Sequence, residues 1–162
     1  MSTKPRILVF GAHGQLGHDL LRVLPDHSEV IGVGHDKVDI TDAASVEKQM
    51  RETKPDIIIN AAAYNKVEDA ETQVLLAYQV NAIGPYHIAR AAFALGIPVL
   101  HVSTDYVFDG VKEGEYGEND ETHPLNIYGA SKEAGEKLVR IANPKHWIIR
   151  TSALFGINVG GG

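Results

Sequence analysis

Short runs of apolar residues alternate along the chain with longer stretches in which apolar positions recur every three or four residues. The runs are Arg6-Ile7-Leu8-Val9-Phe10, Glu29-Val30-Ile31-Gly32-Val33, Asp56-Ile57-Ile58-Ile59-Asn60, Ile97-Pro98-Val99-Leu100-His101-Val102-Ser103 and Trp147-Ile148-Ile149-Arg150. They are continuous rather than alternating, which suits strands of a parallel sheet buried on both faces. Leu16, Leu20, Val23 and Leu24 mark a first helix. Residues 41–52 predict a second, opened by Thr41-Asp42 as N-cap and carrying Val46 and Met50 on one face. Residues 67–95 form a long Ala-rich helical stretch that Gly84-Pro85 either divides or kinks. Residues 128–141 predict a last helix, stopped by Asn143-Pro144. This alternation predicts an α/β fold, a Rossmann-like doubly wound parallel sheet in three layers, αβα. Trp147 reads as an anchor of that sheet. No internal repeat is present. The polar, Gly- and Glu-rich segment 105–125 is too long for a plain connector and reads as a functional loop or a small insertion.

The chain has 162 residues, a length that supports a single core. With 44% hydrophobic and 22% charged residues it is not disordered as a whole. The absence of cysteine excludes a disulfide scaffold, a cysteine-ligated metal and a thiol nucleophile. A formal net charge of −6 disfavours nucleic-acid backbones and anionic membranes as partners. No signal peptide is legible at the start, and every apolar run falls far short of the roughly 20 residues of a membrane span. The expected location is the cytoplasm.

Gly11-Ala12-His13-Gly14-Gln15-Leu16-Gly17 directly follows the first strand and opens the first helix. A turn this tight needs residues without Cβ, and backbone amides at the helix start can then face a pyrophosphate. The spacing is G-x-x-G-x-x-G rather than G-x-G-x-x-G, so its place between strand and helix carries the dinucleotide reading. The second strand runs into Gly34-His35-Asp36-Lys37. An acidic residue about 20 positions beyond the glycines binds the ribose 2′-OH of NAD, a role open to Asp36. His35 and Lys37 would instead meet the 2′-phosphate of NADP, and both alternatives stand. Asn60-Ala61-Ala62-Ala63 ends the third run with small residues that let a flat cofactor approach, or that serve tight strand–helix packing.

Tyr128 and Lys132 stand at i and i+4, on one helix face. A free tyrosine has a pKa of about 10, and a nearby ammonium lowers it. The pair can then exchange a proton with a carbonyl or alcohol oxygen. Ser103-Thr104-Asp105 ends the fourth run, where a doubly wound sheet binds its ligand. A hydroxyl there can hydrogen-bond the reacting oxygen beside the tyrosine.

Glycine loop, Asn-Ala-Ala, strand-end Ser/Thr and Tyr-x-x-x-Lys together resemble the extended short-chain dehydrogenase/reductases. Within them, Asn60-Ala61-Ala62-Ala63-Tyr64-Asn65-Lys66-Val67-Glu68-Asp69-Ala70-Glu71 and Ser103-Thr104-Asp105-Tyr106-Val107-Phe108-Asp109-Gly110 resemble the dTDP-4-dehydrorhamnose reductases. So do Gly14-Gln15-Leu16-Gly17, Val38-Asp39-Ile40-Thr41-Asp42 and Asn126-Ile127-Tyr128-Gly129. Related dehydratases follow the strand-end Thr with Asp-Glu, whereas here Tyr106 follows Asp105, which favours a reductase. The resemblance implies that NADPH or NADH reduces the C4 carbonyl of dTDP-4-dehydro-L-rhamnose to give dTDP-L-rhamnose, a precursor of cell-surface polysaccharide. It implies that Tyr128 donates the proton, that Lys132 lowers the tyrosine pKa and holds the nicotinamide ribose, and that Thr104 hydrogen-bonds the carbonyl oxygen, with Asp105 beside the sugar. His13, His35, Asp39 and Ile40 would meet the adenosine half of the cofactor and Ala61 to Asn65 its site wall.

Two features depart from the family. Members commonly carry Trp where this chain has Ala153, a position expected to contact the sugar. Members also run well past this length, with a C-terminal lobe over the sugar nucleotide. Residues 1–162 are therefore expected to be the NAD(P)-binding Rossmann domain without that lobe, inactive as a reductase alone, and Gly160-Gly161-Gly162 reads as a cut end. Some relatives dimerise through Mg²⁺ held by an acidic residue near the position of Asp19, so a homodimer is an available assembly. Asp19 itself is expected to be a solvated helix carboxylate, and the eight histidines show no metal-ligand spacing. Two alternative readings remain: a non-catalytic subunit resembling the methionine adenosyltransferase β subunit, and another nucleotide-sugar epimerase or dehydratase.

Overall fold

The computed structural model describes residues 4–156, so the C-terminal glycine run lies outside the described residues. The five apolar runs become the strands β1 (Arg6–Phe10), β2 (Glu29–Val33), β3 (Ile57–Asn60), β4 (Val99–Thr104) and β5 (His146–Thr151). Between them lie the helices α1 (Gln15–Val23), α2 (Ala43–Thr53), α3 (Val67–Ala70), α4 (Val74–Tyr78), α5 (Gly84–Ala94) and α6 (Ile127–Ala142). All strands pair in parallel, in the order β2-β1-β3-β4-β5. The order reverses between β1 and β3, and such a reversal opens a crevice at the carboxyl ends of the strands.

Both sheet faces carry apolar side chains. On one, Leu8, Phe10, Ile58 and Val99 pack with Val46 and Met50 of α2 and Ile88 of α5. On the other, Ile7, Val9 and Ile59 meet Leu20 of α1 and Leu24. Each such side chain contributes about 1.5–3 kcal/mol when fully buried. The edge strand β5 departs from the expected two-sided burial. Trp147 is 57% and Ile149 48% exposed, on a face where no described helix lies over the strand. Trp147 is thus not a packed anchor of the sheet; only its backbone pairs, in register with Leu100.

The 67–95 stretch breaks elsewhere than Gly84-Pro85 suggests. The interruption is at residues 71–73, between α3 and α4. There the Glu71 carboxylate accepts the backbone amide of Ile127, the first residue of α6, at 2.8 Å. Gly84 and Pro85 instead open α5 without a break, behind a wide π turn at Gln79–Ile83. The Gly84 amide bonds the Gln79 carbonyl five residues back, so the turn before Pro85 is wider than an α-helical one. The 105–125 segment begins with a 3-10 turn (Asp105–Val107) and then has no helix or strand of its own. Its side chains order it: Phe108 stacks on Tyr116 at 4.1 Å, and the Tyr116 hydroxyl donates to Asp109 at 2.8 Å. No helix of the described residues is long and apolar enough to cross a membrane.

Candidate active site

The carboxyl ends of β1, β3 and β4 border a cleft of about 1150 Å³. The glycine loop forms one end of it through Gly11, His13, Gly14, Gln15 and Leu16. Gly11 has φ +81°, and a Cβ on it would overlap the backbone of Ala61-Ala62 at the end of β3. Gly17 does not line the cleft; it packs behind the loop, where a Cβ would overlap the Gly11 carbonyl. Helix α1 starts at Gly14 with no side chain capping its first turn. Its leading amides are therefore available to an anion, and the helix dipole adds partial positive charge there. A cradle that no Cβ fills, leading to an uncapped helix start, fits a pyrophosphate.

The wall beside the loop is built from Ala61, Ala62, Ala63, Tyr64 and Asn65. Asn60 holds its first part: its side-chain oxygen accepts the Ala62 amide at 3.1 Å. Asn81, in the π turn, holds the second. It accepts the Tyr64 amide at 2.8 Å and donates to the Tyr64 carbonyl and the Ser131 hydroxyl, each at 3.0 Å. Asn81 is fully buried, and no sequence motif pointed to it. Asn81→Ala leaves these backbone and hydroxyl groups without their partner, and we expect a loss of about 1–3 kcal/mol. Urea unfolding measures it, and an unchanged midpoint would contradict the role.

Beyond β2, the candidates for the ribose corner separate. His35, Asp39 and Ile40 line the cleft, whereas Asp36 and Lys37 do not. Asp36 pairs with His13 at 3.4 Å across the loop, both side chains being well exposed. Asp39 accepts both the amide and the hydroxyl of Thr41, at 2.9 and 2.8 Å. These bonds hold its carboxyl below the usual range and commit it to the turn.

At the other end of the cleft stand Thr104 and Asp105 from the end of β4, with Tyr128 and Lys132 from α6. Asn126 starts α6 by accepting the Gly129 amide at 2.7 Å. Tyr106 packs edge-on against Tyr128, ring centres 5.6 Å apart. The resemblance implied a lowered tyrosine pKa, and the structure differs. Burial pushes the Tyr128 phenol up, the Thr104 hydroxyl partly offsets this, and the charge of Asp105 pushes it up further. Lys132 is not among the groups that shift it. The Lys132 ammonium donates to the Val102 carbonyl at 2.7 Å and is 2% exposed. Burial lowers it to about 8, against the opposing pull of Glu136.

Several contributors were missed by the sequence reading. Gln79, Val80, Thr151, Ser152 and Leu154 also line the cleft, beside Ala153, which the sequence had already singled out. Gln15 ties this last segment to the glycine loop by donating to the Leu154 carbonyl at 2.7 Å. Beneath the cleft, His101 is buried and held neutral by burial and by Lys132. Asn60 donates to its Nδ1 at 3.1 Å, which leaves the ring proton on Nε2. Glu136 is 1% exposed and takes two bonds from Arg150, Nε to Oε1 at 2.9 Å and Nη2 to Oε2 at 2.7 Å. Asp19 is less solvated than expected: its side chain is 24% exposed, lies 3.6 Å from Arg22 and faces the backbone of Gly156.

The chain is similar to known proteins. A dTDP-4-dehydrorhamnose reductase of Aggregatibacter actinomycetemcomitans is 47% identical over 153 residues, 93% of this chain and 52% of that protein. Another of Sinorhizobium fredii is 41% identical over 150 residues, 93% of this chain and 51% of its own. The crystal structure of dTDP-4-dehydrorhamnose reductase from Bacillus anthracis in complex with NADP superposes with a TM-score of 0.94 at 41% identity, covering 96% of this chain and 56% of that one. The chain thus spans about half the length of the curated relatives it matches. The description of the RmlD substrate binding domain matches residues 5–161, and the chain belongs to that family.

Proposed function

We propose that this chain is the cofactor-binding part of a cytoplasmic NADPH- or NADH-dependent reductase that converts dTDP-4-dehydro-L-rhamnose to dTDP-L-rhamnose. The observation that carries the reading is one continuous cleft with the glycine cradle at one end and Thr104, Tyr128 and Lys132 at the other. When bound, the nicotinamide would supply the hydride for the C4 carbonyl. The amides of Gln15 and Leu16 would take the pyrophosphate, and His35, Asp39 and Ile40 would edge the adenosine. Residues 61–65 would wall the cofactor site. Tyr128 then donates its proton to the C4 oxygen. The phenol is protonated at neutral pH and so carries the proton to be given, while its upward shift makes it a weaker acid than a free tyrosine in the chain without cofactor. The Thr104 hydroxyl donates to the same oxygen, where negative charge grows. Lys132 holds the ribose hydroxyls, and Asp105 faces the sugar.

The sugar nucleotide itself would be covered by a second lobe, in a protein of the length the relatives have. The exposed apolar positions Trp147 and Ile149, beside half-buried Leu100 and Val102, support further structure over that sheet face. Titration of the purified chain with NADPH and with NADH, followed by cofactor fluorescence, tests the reading. Saturable binding of at least one is expected; no binding of either at millimolar concentration overturns it.

A further inference from the structure

We propose that Glu136 is a positioning residue for Lys132: a buried carboxylate, clamped by Arg150, that stands one helical turn beyond the lysine and keeps its side chain charged. Its catalytic consequence rests on the reductase reading, whereas the link between the two residues rests on the geometry of α6.

Tyr128, Lys132 and Glu136 occupy i, i+4 and i+8 of α6 and so form one stripe on the helix. Lys132 is 2% and Glu136 1% exposed. An ammonium has three N–H donors, and a single protein acceptor, the Val102 carbonyl, meets this one. A buried charge of this kind is stabilised by a nearby anion. The elements packed on this stripe supply few candidates. From β4 comes His101, which is neutral. From the π turn comes Asn81, and from α6 itself Ser131 and the Tyr128 phenol, all uncharged. Asp105, after β4, lies at the cleft mouth and accepts the Thr104 hydroxyl at 3.1 Å. From β5 comes Arg150, itself a cation. Glu136 is the only carboxylate among the buried polar residues described.

The surroundings of Glu136 hold it in place. Arg150 grips both its oxygens, and Arg140 approaches the second at 3.4 Å. Arg150 is in turn seated on the Phe108 ring, 4.9 Å from its centre. Burial drives Lys132 toward the free amine and Glu136 drives it back. The balance stands at about 8, so the lysine is mostly charged at neutral pH and the carboxylate favours that form.

The test is a pH titration of the Lys132 side-chain nitrogen by NMR on the ¹⁵N-lysine-labelled chain, with Lys132→Arg used to assign the signal. The wild-type midpoint is expected near about 8. Glu136→Gln, nearly isosteric and still able to accept from Arg150, is expected to lower it by about one unit, a roughly tenfold fall in the ammonium-to-amine ratio. Glu136→Asp keeps the charge for Arg150 but retracts it, and its midpoint is expected between the two. A purely structural glutamate would leave the midpoint unmoved, so a wild-type midpoint in whichever variant folds overturns the proposal. NADPH titrations across the same pH range form the second arm. Affinity is expected to fall as Lys132 deprotonates, and at lower pH in Glu136→Gln. If wild type does not bind NADPH at any pH, the reductase reading fails while the lysine midpoints still judge Glu136.

Discussion

Tyr128→Phe, made in the protein at the length of its relatives, is expected to lower kcat by about 10²–10⁴-fold. The dissociation constant for NADPH should stay unchanged. The phenylalanine keeps the ring, its edge-on packing against Tyr106 and the shape of the cleft. It removes only the O–H that gives its proton to the C4 oxygen as the alkoxide develops. An interaction made in the transition state and not with the bound ground state appears in kcat rather than in KM. Steady-state kinetics together with a cofactor titration separate the two quantities. Wild-type turnover in the variant would remove Tyr128 from the chemistry, and a lost cofactor affinity would make it a binding residue instead.

Arg150→Met is expected to destabilise the fold by about 3–5 kcal/mol, because it strips a buried carboxylate of its charged partner. Of the two arginines bonded to Glu136, only Arg140 would remain, with a side chain 45% exposed that reaches it at 3.4 Å. Because the Arg140 end of that pair stays in contact with water, it compensates little of the loss. Methionine preserves much of the apolar stem, so lost packing explains little of the effect. Combining it with Glu136→Gln removes both charges and should recover most of the loss. Urea unfolding at neutral pH measures each variant. A loss under about 1 kcal/mol for Arg150→Met alone would show that the remaining partners suffice for the carboxylate.

Much of the scaffold was legible before any coordinates. The runs at residues 6–10 and 29–33 coincide with β1 and β2, because strands of a sheet that carries helices on both faces are largely apolar. Asp42 was legible as a cap, and it accepts the Ala44 amide at 2.9 Å. The break between α3 and α4 was not. No glycine or proline marks residues 71–73, and Glu71 turns there toward the start of α6, a partner 56 residues away. Gly84-Pro85, a strong local signal, opens α5 directly behind the π turn rather than dividing the stretch into separate helices. Trp147 misled because hydrophobicity does not say whether a strand is central or at an edge.

The candidate site divides in the same way. The glycine loop and the Tyr128/Lys132 pair are fixed by short-range geometry, a turn that excludes Cβ and a helical repeat, so sequence spacing alone placed them. The electrostatics were not local. That Tyr128 is pushed up, that Lys132 settles near about 8 and that His101 stays neutral all follow from burial, which arises only when α6 closes over β4. Asn81 and the Glu136–Arg150 clamp join residues 17, 50 and 14 positions apart, and no periodic pattern records such pairs. The sequence by itself determined an α/β chain with a dinucleotide-type glycine turn and a Tyr-x-x-x-Lys helix, because those features depend on residues a few positions apart. Only the tertiary structure decided which carboxylates face the cleft, which are spent on turns and which carry a buried charge, because the dielectric around a side chain belongs to the packed molecule.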